Sequence, residues 1–156
     1  MRGNKKVLEE LNKALAGELN AIVQYMAQSE MCEGWGYSRL AKLTKARAIE
    51  EMRHAEGLIE RIIFLDSIPV VNIALTPNLG TDPKNQLEAD LADEVQAIKD
   101  YNHSVQVCRE AGDDASRAMF EKMIEDEERH TDFLEGQLHA IKEMGYELYL
   151  SQQMKG

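Results

Sequence analysis

Positive charge is scarce in this sequence. Its 156 residues hold 18 lysines and arginines against 28 aspartates and glutamates, for a formal net charge of −10. A chain this short of basic residues lacks the footprint that phosphate binding needs, so nucleic acid is not an expected partner. An acidic surface instead tolerates or attracts cations. Cysteine is sparse as well. Cys32 and Cys108 are too few for a disulfide framework and do not form a CxxC pair, which fits a reducing cytoplasm. No run of about 18 apolar residues exists, so no membrane span is expected. The opening MRGNKKVLEELNK lacks the apolar core of a secretory signal. Only three prolines interrupt the chain.

What is present reads as helix. The residues are 44% hydrophobic and 29% charged, rich in Ala, Leu, Glu and Lys, and suit one domain spanning 1–156. Leu8, Leu11, Leu15, Ile22 and Met26 recur at helical intervals in a first helix that should end near Gly34-Trp35-Gly36. A second runs from about Ser38 to Leu65, with Leu40, Leu43, Leu58 and Ile62 on one face. Ser67 to Asp82 carries Pro69, Pro77 and Gly80 and reads as a connection. Asp82-Pro83 looks like an N-cap followed by proline at the first helical position. The third helix continues through Leu87, Leu91, Ile98, Val105 and Cys108 to Ala111, where Gly112 can close it. The fourth starts after Asp113 or Asp114, shows Phe120, Ile124, Leu134, Leu138 and Ile141, and ends near Gly145. Tyr146 to Gln153 reads as a short fifth helix. Short turns pair the first two helices and the last two long ones as hairpins. The roughly 15-residue link can run the length of a helix. The fold class is all-α, a four-helix bundle with one long crossover between helices 2 and 3.

The chain also repeats itself at an offset of 76 residues. Glu18 aligns with Glu94, Ala21-Ile22 with Ala97-Ile98, Tyr25 with Tyr101, Glu51 with Glu127 and Arg53-His54 with Arg129-His130. Each half reads Glu, 32 intervening residues, then Glu-x-x-His. Positions three, four and seven apart share a helix face. Glu18 thus lies on the stripe of Leu11, Leu15, Ile22 and Tyr25. Glu94 lies among Leu87, Leu91, Ile98 and Tyr101. Glu51 and His54 fall between Leu40 or Leu43 and Leu58, and Glu127 and His130 between Ile124 and Leu134. Four carboxylates and two imidazoles therefore point into an apolar core.

A buried carboxylate must find a counter-charge or shift its pKa strongly. The core stripes offer little: Arg47 is the nearest candidate. Two divalent ions resolve the conflict, because four Glu and two neutral His then sum to zero with the metals. Carboxylate and imidazole suit iron or manganese. The set matches the pattern of di-iron and di-manganese bundles, with one Glu from each of two helices and Glu-x-x-His from each of the others.

These residues, with Gly17-Glu18-Leu19, Gln24-Tyr25, Trp35-Gly36, Glu51-Met52-Arg53-His54, Glu60-Arg61-Ile62-Ile63-Phe64-Leu65 and Asp126-Glu127-Glu128-Arg129-His130, resemble the bacterioferritins along essentially the whole chain. The resemblance implies a ferritin-like fold, iron storage and detoxification in a hollow 24-subunit homo-oligomeric shell built from two-fold dimers, and a ferroxidase centre with two iron ions in each subunit. It assigns Glu18 and His54 to one iron, Glu94 and His130 to the other, and Glu51 and Glu127 as bridges. It implies oxidation of Fe(II) by dioxygen or peroxide and deposition of ferric mineral. It also implies haem b shared between two subunits, with Met52 from each as axial ligand. Met52 lies off the metal face, on a second stripe with Ala48, Ile49, Ala55 and Ile59 that suggests a subunit interface. A ferredoxin-type reductant for iron release is a further implied partner. Tyr25 is implied as an electron donor, and reads equally as a core tyrosine. Trp35 reads as packing at the hairpin end. One departure stands out: a His and an Asp that build an inner-surface iron position in some members are Ala46 and Glu50 here.

Other readings predict other features. A peroxide-reducing rubrerythrin-like protein would add a domain with paired CxxC motifs, which this sequence lacks. A manganese catalase usually needs a longer chain. A haem-binding cage without efficient mineralisation would predict an incomplete ligand set, yet all six residues are present.

Overall fold

The computed structural model describes residues 1–155 and contains five helices among them. These are α1 (Lys5–Gly34), α2 (Ser38–Phe64), α3 (Pro83–Ala111), α4 (Asp114–Met144) and α5 (Tyr146–Gln152). The helix ends follow local chemistry. Asn4 Oδ1 accepts from the Lys6 and Val7 amides at 2.9 and 3.2 Å and starts α1. Asp82 caps α3 through the Asn85 amide at 3.0 Å, with Pro83 filling a position whose N–H would have no helical partner. Gly112 ends α3 at φ 70°, a left-handed geometry that favours glycine. Asp113 then caps α4 through the Ser116 amide.

α1 packs along α2, α3 along α4, and α1 also meets α3. The two apolar ends of the bundle flank a polar middle. At one end Val7, Leu11 and Leu15 pack with Leu58 and Ile62, and with Val105, Phe120 and Met123. At the other end Leu87, Leu134, Ile141 and Tyr149 form a second cluster that seats α5, and Cys32, Leu40 and Ala41 a third. Each fully buried aliphatic or aromatic side chain contributes about 1.5–3 kcal/mol. These ends offset the cost of the layer between them, where Glu18, Glu51, Glu94, Glu127 and His130 are all buried.

The expected elements are thus present, but the apolar stripes are narrower than the sequence suggested. Met26 and Leu43 are exposed, and Leu91, Ile98, Ile124 and Leu138 are half-buried. Trp35, at the hairpin end, is 40% exposed. Ala48 and Ala55 are buried within the bundle, Ala55 in the main core. They do not flank Met52 on an outer stripe. A helix that touches neighbours on two sides buries small residues that periodicity alone leaves unassigned.

The crossover from Leu65 to Asp82 lies along α1 and is pinned by α1 amides. Asn12 accepts from the Val70 amide, Asn20 from Thr76 and Gln24 from Asn78, each at 2.8 Å. Chain order matches on both sides, so the strap runs parallel to α1 and delivers α3 antiparallel to it. Gln24 also donates to Asp90 Oδ1 at 2.8 Å and Asp93 Oδ2 at 2.9 Å, and Gln28 donates to the Asn78 and Leu79 carbonyls. No helix among the described residues is long and apolar enough to cross a membrane.

Burial pushes the Asp90 carboxyl up to about 7, against hydrogen bonds from Gln24 and Gln28 and with the help of nearby Asp93. A carboxyl raised in the folded state stabilises below its unfolded pKa. That contribution is lost as pH rises from about 4 through about 7. Asp90→Asn keeps an oxygen for Gln24 and removes the charge. It should stabilise the protein at pH 8 by roughly 2–4 kcal/mol, with the difference shrinking toward pH 4. Denaturant midpoints of both proteins at the two pH values, at one protein concentration, test this.

Candidate metal centre

All six residues singled out by the repeat converge in the polar middle layer. Two groups of donor atoms form there: Glu18, Glu51, His54 and Glu127, and Glu51, Glu94, Glu127 and His130. In each group the donor atoms lie within 4.8 Å of one another. Glu51 and Glu127 belong to both. This is the geometry of two adjacent cation positions with two carboxylates between them.

The helices explain the convergence. α1 and α3 each bring one Glu, while α2 and α4 each bring Glu and His three residues apart on one face. His54 Nδ1 lies 3.5 Å from oxygens of Glu18, Glu51 and Glu127. His130 Nδ1 lies 3.3 Å from Glu51 and 3.5 Å from Glu127. Neither Nδ1 has a hydrogen-bond partner, and neither do Glu18 Oε2, Glu51 Oε1 or Glu127 Oε1, although all are buried. Orphaned buried donors and acceptors are rare in native proteins and costly. Here they face one another around two common points, so the residues fit a pair of bound divalent cations.

Surrounding groups hold the donors in a crossed pattern that follows the repeat. His54 Nε2–H donates to Asp126 Oδ2 at 2.8 Å, and His130 Nε2–H to Glu50 Oε2 at 2.5 Å. Asp126 precedes Glu127, and Glu50 precedes Glu51, so each imidazole is held by a carboxylate of the other half. A carboxylate accepts only, which sets Nε2 as the protonated nitrogen and leaves the Nδ1 lone pair for a metal. On the opposite side Tyr25 donates to Glu94 and Tyr101 to Glu18, again across the two halves. Sequence reading missed Asp126 as a partner of His54 and noted Glu50 only as a departure. The repeat offset, which pairs Glu50 with Asp126 and Tyr25 with Tyr101, was the signal for both. Arg47 does not serve as counter-charge by contact. Its guanidinium lies 5.7 Å above the Phe133 ring. Ala46 is exposed, and Met52 is 45% exposed on α2 beside exposed Ile49.

A cavity of about 200 Å³ opens between α1 and α3 and reaches Glu18, Glu51, Glu94 and Glu127, with Tyr25 and Tyr101 on its walls. Glu10, Asp93 and Asp100 also line it, giving the passage a negative lining.

Protons take up the strain when metals are absent. Burial, with repulsion from Glu51, holds the Glu18 carboxyl well above the usual range. Burial opposes ionisation of Glu51 as well, but the neighbouring Glu18, His130 and His54 side chains outweigh it and bring Glu51 below the usual range. Burial disfavours charge on both imidazoles. The nearby carboxylates of Glu127, Glu18 and Glu51 nevertheless raise His54, and those of Glu127 and Glu51 raise His130 to about 9.

The chain as a whole is similar to known proteins. The ferritin-like domain family matches residues 8–144. The bacterioferritin of Mycolicibacterium paratuberculosis is 40% identical over 152 residues, covering 97% of this chain and 96% of that protein. The bacterioferritin of Brucella melitensis is 42% identical over 149 residues, covering 96% and 92%. That of Rhodobacter capsulatus is 42% identical over 145 residues, covering 93% and 90%.

Because the surroundings raise the proton affinity of the imidazoles and of Glu18, a divalent cation must compete with protons there. Binding of Co²⁺ to metal-free protein should release protons near neutral pH, and its affinity should fall as pH is lowered. Calorimetry in buffers of different ionisation enthalpy measures the release directly. Binding that is independent of pH between 6 and 8, with no proton release, would contradict the site described.

Proposed function

This chain belongs to the bacterioferritin family, and from that premise we propose that it stores iron and oxidises Fe(II) at the six-residue centre of each subunit. The observation that carries the reading is the two donor groups sharing Glu51 and Glu127, with unpartnered buried atoms aimed inward. Glu18 and His54 hold one iron, Glu94 and His130 the other, and Glu51 and Glu127 bridge them.

Two adjacent ferrous ions supply the electron pair that reduces dioxygen to hydrogen peroxide, or hydrogen peroxide to water, with two protons taken up in each case. The chain's residues provide the setting. The carboxylates neutralise the incoming cations, so the filled site has no net charge. Glu50 and Asp126 keep both Nδ1 lone pairs aimed at the metals. Tyr25 and Tyr101 fix the carboxylates on the cavity side, where the oxidant and iron enter. Tyr25 is also placed to give an electron to the site, being hydrogen-bonded directly to Glu94. Ferric product is stored as mineral inside a 24-subunit shell of two-fold dimers, and a ferredoxin-type reductant serves its release. Cys32 and Cys108, both free and buried, suit the cytoplasm.

Haem b would be held on the outer side of α2. The Met52 thioether would hold its iron, and it is half-exposed there beside Ile49, open to a second copy. Haem bound between two Met52 side chains would supply an electron path to the stored iron.

Rapid mixing of metal-free protein with increasing Fe(II) in air, followed in the near ultraviolet, should show a fast phase that saturates at two irons per subunit. Glu94→Ala and His130→Ala should reduce that phase to the rate of iron in buffer. Wild-type protein no faster than buffer would sink the ferroxidase reading. For haem, Met52→Leu should abolish the Soret absorbance of protein reconstituted with haem and leave the fast iron phase intact. A retained Soret band of unchanged position would remove Met52 as the ligand.

A further inference from the structure

The α2–α4 side of the centre carries a cation that none of the preceding roles uses. The guanidinium of Arg129 reaches from α4 to Glu50 on α2, with Nη2 3.2 Å from Oε2 and Nη1 3.4 Å from Oε1, and also meets Asp126 Oδ1 at 3.4 Å. Lys122 adds a contact to Asp126 at 2.8 Å. Glu50 and Asp126 are the two carboxylates that accept from His130 and His54. One guanidinium therefore joins the two groups that orient both imidazoles.

The repeat makes the arrangement informative. Arg53 occupies the matching position in the first half, three residues after Glu50; both arginines are exposed, but Arg53 forms no ion pair among the described residues. The two half-sites share one seat between Glu50 and Asp126, and Arg129 takes it. Two carboxylates close enough to share one guanidinium repel each other, and each already accepts from an imidazole. Their remaining oxygens form an anionic notch, which calls for a counter-cation. The forked guanidinium meets that need with a permanent charge.

We propose that Arg129 is a tethered cation that takes the place a further metal ion would otherwise fill between Glu50 and Asp126. It confines each subunit's centre to two metals and keeps both carboxylates on the imidazoles. Its role is positioning, since it touches no donor atom of the two cation sites. The inference rests on the two-metal reading of the centre.

The test is Co²⁺ binding to the assembled, metal-free protein by calorimetry, with crystals of the loaded protein examined by anomalous scattering. Wild type should bind two ions per subunit at the centre and none between Glu50 and Asp126. Arg129→Ala should bind one more ion per subunit than wild type, placed between those carboxylates, and Arg129→Ala/Glu50→Gln should lose it again. Should Arg129→Ala fail to assemble, Arg129→Gln removes the same charge with less loss of volume and carries the same expectation. A neutral variant that gains no ion, or gains it elsewhere, overturns the proposal, as does wild type with an ion already seated there. Wild type that binds no pair of ions among Glu18, Glu51, His54, Glu94, Glu127 and His130 would instead overturn the two-metal reading.

Discussion

Four carboxylates of the same sign buried in the middle of one helical bundle are the constraint on which the rest of this structure depends. Desolvating a charge costs several kcal/mol even after relaxation. Glu18, Glu51, Glu94 and Glu127 are all buried, and no arginine or lysine pairs with them among the described residues. Something must supply positive charge. Short of a metal, the crowded carboxylates raise the proton affinity of His54, His130 and Glu18. Two divalent metals supply the charge completely. The apolar ends of the bundle, built on Leu11, Leu58 and Phe120 at one end and Leu87, Leu134 and Tyr149 at the other, keep the helices in place through either state.

The charge problem recurs one layer out and is solved differently there. Each imidazole needs an acceptor on Nε2, so two more carboxylates, Glu50 and Asp126, stand close behind the first four. They are partly exposed, and Arg129 and Lys122 neutralise them. The inner layer is left for exchangeable cations and the outer one is closed with fixed cations. Under the proposed two-metal reading, such a division would let the centre load metal without collecting it indiscriminately. The acidic cavity between α1 and α3 provides the approach, and the tyrosines on that side hold carboxylates without adding charge.

Much of the centre was legible beforehand because helical geometry converts spacing into direction. Glu-x-x-His places two donors on one face, and an offset of 76 residues repeated the set. The six residues meet as that argument expected. Exposure was harder to read. Met26, Leu43 and Trp35 carry apolar side chains at positions the packing leaves open, and Ala48 and Ala55 are buried where a surface stripe had been expected. Periodicity gives the angle of a residue around its own helix. It does not give the number or distance of the helices that cover that angle.

The sequence by itself determined the four long helices, their hairpin pairing, the crossover and the inward facing of the six residues that meet in the middle, because each depends on local propensity or on spacing within one helix. Tertiary structure alone decided which groups answer one another across helices. It crossed His54 to Asp126 and His130 to Glu50, and Tyr25 to Glu94 and Tyr101 to Glu18. It paired Arg129 with Glu50 and left its repeat partner Arg53 without an ion pair among the described residues. Those outcomes depend on the distance between helices and on competition among charges for one place, and neither quantity is written in the order of residues along a chain.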